Sequence, residues 1–286
     1  MKTLRETVSD YHSAGKALGH FNFSDSNQLH AIALAVKETG LPVIVGLSEG
    51  EREFFPLSHA KALLDVYREN GLDIYLNADH TYSIEKVQRA IAAGVDSVVV
   101  DGAKLPFAEN VVYASTAAKY AKAAGRDVLI EGELGYIGTS SKILDSLPEG
   151  AAVTEEMMTK PDEIKSFVEQ SSVDMVAPAV GNIHGVIKSG QPKLSIDRIK
   201  MLAEAAGVPL VLHGGSGSPD EEFVASIKAG IAIIHINTDL RVLYRDELKK
   251  TLDTDLDETT PYKFLTPAVD AMKNFVAQKM KLFAMQ

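Results

Sequence analysis

The sequence predicts an α/β fold: a single-domain (β/α)8 TIM barrel over residues 1–286, with an additional C-terminal helix. Three observations point there. Eight short apolar, β-branched segments recur along the chain, at 19–24, 43–48, 74–80, 97–102, 128–135, 175–184, 209–217 and 231–239. Most of the intervals carry apolar residues at three- and four-residue spacing, the period of a helix buried along one stripe. The segments themselves are apolar nearly throughout rather than alternating, as strands covered on both faces are. Strand and helix alternating in this way, in 286 residues of which 45% are hydrophobic, suit a parallel sheet closed into a barrel and wrapped by helices.

The first helix is read at 25–38, where Leu29, Ile32, Ala33 and Val36 form one stripe. Comparable patterns place helices at 58–70, 84–93, 108–124, 160–170, 197–206 and 220–229. Gly40, Gly71, Gly94 and Gly207 follow four of them, where a left-handed residue ends a helix without strain. Two stretches stand outside the repeat. Residues 136–159 form a long Gly/Ser/Pro-containing connection after the fifth segment, of a length that often marks a functional lid. Residues 259–286 hold a further amphipathic helix with Val269, Met272, Phe275, Val276, Met280 and Phe283 on one stripe. That stripe is expected to pack on its own barrel or on a second subunit.

Composition narrows the function. A formal charge of −10, with nothing resembling a basic stripe, argues against nucleic-acid binding. No apolar run approaches bilayer length, and Met1–Glu6 lacks the charged-then-apolar order of a signal peptide, so a soluble, cytoplasmic protein without membrane partners is expected. The absence of cysteine removes disulfides and thiolate metal sites, leaving His, Asp and Glu as candidate ligands.

Side chains at the C-terminal ends of barrel strands face the active site. Here those ends carry Asn22, Ser48, Asp79, His80, Asp101, Glu131 or Glu133, His184, His213, Ser216, His235, Asn237 and Asp239. His80, His184 and His213 close the third, sixth and seventh segments. Three neutral imidazole nitrogens with an open position describe a catalytic metal site, most often zinc, although cobalt, iron and manganese accept the same donors. Asp79 directly precedes His80, and neighbours on an extended strand point to opposite sides unless the backbone turns. With His80 on the metal, Asp79 is left to move a proton; the alternative is that it caps the helix beginning near Ser83. Asp101 and Glu133 are candidates to orient the imidazoles or to serve as alternative ligands. Glu131 and Glu133 share a strand face, so the sequence does not choose between them. The Gly214-Gly215-Ser216-Gly217 turn after His213, with Asn237 and Thr238 nearby at the eighth segment, is a candidate phosphate cradle. Lys188 either adds positive charge to that phosphate or is a solvated loop lysine. Metal beside phosphate suggests an enzyme of sugar phosphates.

The motifs holding these residues resemble those of the class II, metal-dependent ketose-bisphosphate aldolases, the family of fructose- and tagatose-bisphosphate aldolases. The resemblance runs over nearly the whole chain, through 19–22, 42–50, Asp79-His80, 100–107, 131–135, 181–185 and 213–217. It implies that His80, His184 and His213 bind one zinc ion per subunit, with Glu133 near the metal and Asp79 as acid/base. It also implies that Gly185, Lys188, Gly214, Ser216, Asn237 and Thr238 surround the phosphate of dihydroxyacetone phosphate, where a monovalent cation often sits. Asn22, Ser48 and His235 join them as substrate-side candidates. A homodimer or homotetramer is expected.

The reaction so implied is reversible cleavage of fructose 1,6-bisphosphate to dihydroxyacetone phosphate and glyceraldehyde 3-phosphate, with tagatose 1,6-bisphosphate or another ketose 1-phosphate as the alternative. Polarisation of the C2 carbonyl by a metal removes the need for a Schiff-base lysine, and Asp79 takes the C4 hydroxyl proton. The chain departs from the family pattern at three places. A loop that commonly carries a proton-exchanging Glu reads Gly138-Thr139-Ser140-Ser141-Lys142, which leaves Asp145, Glu149, Glu155 or Glu156 to replace that Glu. His235 stands where Asn is usual, as a specificity or proton-transfer residue or a buried structural His. Val269 stands where many relatives carry an Arg that reaches a distal phosphate. Two rival classes are weaker. A barrel hydrolase of the amidohydrolase type needs His-x-His on the first strand, where this chain has His20-Phe21-Asn22; a silent sugar-phosphate binder would not need Asp79.

Overall fold

In the computed structural model, which describes residues 1–138 and 142–286, eight parallel strands close on themselves. They are β1 (Leu18–Asn22), β2 (Val43–Leu47), β3 (Ile74–Thr81), β4 (Ser97–Val100), β5 (Leu129–Leu134), β7 (Met175–Pro178), β9 (Leu210–Leu212) and β10 (Ile231–Ile236), in the order β1-β10-β9-β7-β5-β4-β3-β2. A separate two-stranded ribbon joins β6 (Ile143–Leu144) to β8 (Val186–Ile187). The predicted helices stand within a residue or two of their expected bounds: α2 (Ser26–Thr39), α4 (Leu57–Glu69), α5 (Ile84–Ala93), α6 (Phe107–Ala123), α7 (Pro161–Ser171), α8 (Ile196–Ala206) and α9 (Asp220–Ala229). Gly40, Gly94 and Gly207 are left-handed C-caps, as the sequence suggested.

Three helices were not anticipated: α1 (Leu4–Ser13), α3 (Glu49–Phe54) and α10 (Thr238–Thr254). A capping box between Thr3 and Glu6 starts α1. Its Leu4 and Val8 pack on Leu18, Ile44, Tyr75, Leu129, Met175, Val211 and Ile233, the lowest inward-facing residues of the strands, and Thr7 Oγ1 lies 2.7 Å from the Tyr75 hydroxyl. The N-terminal mouth of the barrel is thus plugged, and the chemistry is confined to the other end.

The sixth, seventh and eighth apolar segments are longer than their ladders. β7 ends at Pro178, and Gly181 then takes φ +97°, so His184 stands in the following loop. β9 ends one residue before His213, and Asn237 caps α10 with Thr238 and Asp239 in its first turn. The described part of the 136–159 connection packs on this rim, with Ile137 and Ala152 against Ala179, and Ala151 against Ile183 and Ile187.

The tail forms α11 (Pro261–Phe283), which lies along α2 and α10. Met272, Val276, Met280 and Phe283 are buried in the core of the same chain. The apolar stripe is therefore buried largely within the subunit, with Val269 and Phe275 half-buried at its edge. Among the described residues, no helix is long and apolar enough to cross a membrane.

Candidate active site

Strand alternation brings His20 and Asn22 of β1, Asn77 and Asp79 of β3, Glu131 and Glu133 of β5 and His235 of β10 to the barrel interior, above the apolar plug. By the same rule His80 should point away. It does not, because the β3–β4 register shifts between Ala78 and Thr81 and His80 adopts φ +34°. That local turn sends both Asp79 and His80 toward the site.

One ring nitrogen from each of His80, His184 and His213 lies within 4.8 Å of the others. The second nitrogen of each ring is already committed. His80 Nδ1 is 2.9 Å from Asp101 Oδ2, His184 Nδ1 is 2.7 Å from the Gly138 carbonyl, and His213 Nε2 is 2.6 Å from Glu131 Oε1. Such acceptors fix ring orientation and tautomer, and here they leave His80 Nε2, His184 Nε2 and His213 Nδ1 to face one another. Glu133 Oε2 lies 3.3 Å from His80 Nδ1 and 3.6 Å from His213 Nδ1. His213 Nδ1, Glu133 Oε2 and Asp79 Oδ1 are buried without a hydrogen-bond partner. The choice left open in the sequence is thereby resolved in geometry: Glu131 orients His213, and Glu133 stands between two imidazoles.

Two loops hold the donors together. Gly214, at φ +63°, has no room for a side chain, since a Cβ would lie 2.1 Å from the Ile183 carbonyl oxygen. Glycine there lets the turn after His213 press against the backbone carrying His184. Asn182 Nδ2 donates to the His213 carbonyl at 3.0 Å, a second tie between the same segments.

Electrostatics divide the imidazoles into two groups. Burial pushes His184 down to about 3 and His20 to about 4, and holds His235 well below the usual imidazole range. Burial also opposes charge on His80 and His213, but the carboxylates override it. Asp79, Asp101 and Glu133 hold His80 well above its ordinary value, and Glu131 followed by Glu133 raises His213. Against its own burial, Asp79 is held well below the carboxylate range, chiefly by the charge of His80. Asp79 and Asp101, both held below the ordinary carboxylate range despite burial, call for compensating positive charge. A divalent cation among the three nitrogens supplies that charge without protons, so the donor set, its acceptors and the unpartnered buried atoms fit a metal.

The centre opens into a cavity of about 440 Å³. Asn22, Ser48, Asp79, His80, Asp101, His184, Gly185, Gly214, Ser216, His235, Asn237 and Thr238 all line it. The cavity combines a candidate cation site, the buried Asp79 carboxylate beside it and the glycine-containing turn at Gly214.

The sequence pattern of the family described as fructose-bisphosphate aldolase class-II matches residues 2–286. This chain belongs to that family. A fructose-bisphosphate aldolase of Staphylococcus epidermidis is 33% identical over 285 residues, covering 98% of this chain and 96% of the relative. One of Geobacillus stearothermophilus is 32% identical over 286 residues, with the same coverage. Among solved structures, the YdjI aldolase of Escherichia coli K12 superposes with a TM-score of 0.83 at 25% identity, covering 99% of this chain and 97% of that one. A fructose-bisphosphate aldolase of Campylobacter jejuni, 18% identical, shares the fold with a TM-score of 0.79 over 98% of this chain and 93% of its own.

As a class II aldolase the chain belongs to a metal-dependent family of lyases, for which the histidine cluster is the candidate metal centre. Lys188 does not join the site: it is exposed, with Nζ 2.7 Å from Asp145 Oδ1 across the β6–β8 ribbon. Asp145, Glu149, Glu155 and Glu156 also lie outside the cavity lining, Glu155 being paired with Arg198. Thr139, Ser140 and Ser141 of the departing loop lie outside the described residues.

Five lining residues were not anticipated: Glu49, Gly50, Tyr82, Lys142 and Arg241. Glu49 opens α3, Tyr82 follows β3, and Arg241 stands one helical turn after Asn237; in the sequence each reads as an ordinary charged or amphipathic position. His20 belongs to a family motif without standing out there as a site residue. Its ring stacks on His235 with centroids 3.6 Å apart and planes 7° from parallel.

Proposed function

We propose that this protein is a zinc-dependent class II aldolase that reversibly cleaves fructose 1,6-bisphosphate to dihydroxyacetone phosphate and glyceraldehyde 3-phosphate. The observation that carries the reading is the pairing of two adjacent features at the cavity floor. His80, His184 and His213 each have one nitrogen held by an acceptor and one turned inward, and buried Asp79 stands beside them with Oδ1 unpartnered.

His80, His184 and His213 would hold the zinc ion, which when bound would supply Lewis-acid polarisation of the ketose carbonyl. Asp79 is suited to the proton. Asn22 Nδ2 donates to its Oδ2 at 2.9 Å and fixes the carboxylate, leaving Oδ1 for the substrate's C4 hydroxyl. In cleavage the C3–C4 bond breaks, its electron pair stays with C3, the C4 hydroxyl proton passes to Asp79 and C4 leaves as an aldehyde; a proton taken up at C3 completes dihydroxyacetone phosphate, and condensation reverses each transfer. Glu131, Asp101 and the Gly138 carbonyl hold the three imidazoles in one tautomer. Gly185, Gly214, Ser216, Asn237 and Thr238 offer the phosphate a cradle at the N-terminus of α10. Lys142 and Arg241 add positive charge to the same cavity.

A second reading, an aldolase of tagatose 1,6-bisphosphate or another ketose 1-phosphate, rests on two features. His235 occupies the wall beside Asp79, with Nδ1 3.6 Å from Asp79 Oδ1, and Val269 is packed against the core where many relatives present an Arg. The test is a coupled assay of fructose 1,6-bisphosphate, tagatose 1,6-bisphosphate and fructose 1-phosphate on purified protein, before and after chelation and zinc restoration. Chelator-sensitive, zinc-restored release of dihydroxyacetone phosphate is expected, and the three rates rank the readings. Zinc-loaded protein inert toward all three would overturn the fructose- and tagatose-bisphosphate readings and redirect the chemistry to another substrate or end it.

A further inference from the structure

The turn that presents Asp79 and His80 together is the least ordinary piece of backbone in the barrel, and something must hold it. A residue other than glycine at φ +34° is strained, and the register shift between Ala78 and Thr81 releases carbonyls from the β3–β4 ladder. Arg52, on α3, takes up that role. Its Nη1 donates to the Leu47 and Asp79 carbonyls, both at 2.7 Å, and its Nη2 reaches the His80 carbonyl at 3.4 Å and Thr81 Oγ1 at 3.2 Å. One planar guanidinium thus ties the end of β2 to three consecutive residues of the bend. A compact ammonium has no such fork.

We propose that Arg52 is a positioning residue for the metal centre: it clamps the bent Asp79–His80–Thr81 backbone in the conformation that turns both the imidazole and the carboxylate toward His184 and His213. The proposal rests on the reading of that cluster as a zinc site, and it makes a prediction of unusual sign. Removing a positive charge beside a cation site strengthens cation binding by simple electrostatics. Loss of the clamp does the opposite, because His80 relaxes away from the shared centre.

The experiment measures zinc affinity of the wild type, Arg52→Met and Arg52→Lys by competition with a chromophoric chelator, well below each variant's melting midpoint. Positioning predicts at least about tenfold weaker zinc binding in Arg52→Met. It predicts a smaller but definite loss in Arg52→Lys, which keeps the charge and loses the fork. Arg52→Lys alone decides the matter if Arg52→Met does not fold. Zinc affinity equal to or higher than wild type in the folded variants overturns the proposal, whatever happens to their thermal stability or activity. A wild type that binds no zinc overturns the functional reading and this proposal with it, so the two failures are distinguishable.

Discussion

Replacing Glu131 by Gln probes the metal centre at its most buried contact. His213 is 0% exposed and its Nε2 lies 2.6 Å from Glu131 Oε1. The amide oxygen of Gln can still accept that N–H, so the tautomer and the ring plane survive. What is lost is the negative charge, which strengthens Nδ1 as a donor and also draws a proton onto the ring when no cation is present. Removing a partner of this kind lowers metal affinity by about 10–100-fold, which is about 1.4–2.7 kcal/mol. The pH dependence is the sharper test. His80 and His213 are both raised, so zinc must displace protons from both, and wild-type affinity climbs by up to about two decades per pH unit until the two groups have titrated. Glu131→Gln removes the main cause of the His213 elevation, so its slope falls to about one decade per pH unit. The deficit against wild type therefore widens as pH rises. Chelator competition across the neutral range measures it; a variant with wild-type affinity and wild-type slope would refute the assignment of Glu131 as the partner that orients His213.

Zinc-free protein should melt highest near pH 6.5. His80 and His213, with raised folded pKa values, lose their stabilising contribution as pH rises, and His20, His184 and His235, with lowered values, lose theirs as it falls, so the zinc-induced rise in Tm grows on the alkaline side. Asp79→Ala should lower turnover by about 10²–10⁴-fold while zinc content stays stoichiometric by metal analysis. Gly214→Ala forces a Cβ to within 2.1 Å of the Ile183 oxygen at φ +63°, and scanning calorimetry should show destabilisation of about 1–3 kcal/mol. Lys188→Ala should leave KM for the bisphosphate within about twofold because the side chain lies outside the cavity, whereas Arg241→Ala should raise it about tenfold or more in steady-state assays.

Periodicity made most of the barrel legible, because a strand covered on both faces and a helix buried along one stripe write their burial directly into residue order. α5 and α9 begin and end where spacing placed them. Three elements escaped for the complementary reason: α3 has too few turns to establish a period, α1 buries only Leu4, Thr7 and Val8, and α10 buries little beyond Thr238, Leu240 and Tyr244. In the site, residue type was enough to nominate His80, His184 and His213, because an imidazole is costly to bury beside an apolar segment unless both of its nitrogens find partners. Direction was not legible. Glu131 and Glu133 share a face at every level of sequence reasoning, and their roles separate only through which imidazole atom each one meets. Lys188 was a reasonable candidate by its distance in sequence from His184, but the β6–β8 ribbon carries it to the exposed edge beside Asp145. Arg52 is invisible as a site residue, since all of its bonds in the bend go to backbone carbonyls and one hydroxyl.

His20, Asp79 and His235 form a second group whose nitrogen and oxygen atoms lie within 4.8 Å of one another, yet its geometry argues against a second ion. Parallel imidazoles 3.6 Å apart, 7° from coplanar in orientation, send their in-plane lone pairs in parallel directions, which cannot converge on one metal at bonding distance. The stack has its own structural origin. His20 and His235 are register partners on β1 and β10, and Gly46 on the neighbouring strand leaves room for the ring, since a Cβ there would lie 2.2 Å from His20 Nε2. Ser97 Oγ donates to Asn77 Oδ1 at 3.0 Å, which turns the Asn77 amide nitrogen toward His20 Nε2 at 2.9 Å and locks the lower ring. His235 continues the stack onto His213, with centroids 4.2 Å apart. Because burial drives both His20 and His235 toward the neutral form, this wall brings flat, uncharged surface rather than charge to one side of Asp79. The positive charge then falls among His80, His184 and His213, where the proposed cation and Asp79, the proposed proton-transferring group, would share one substrate.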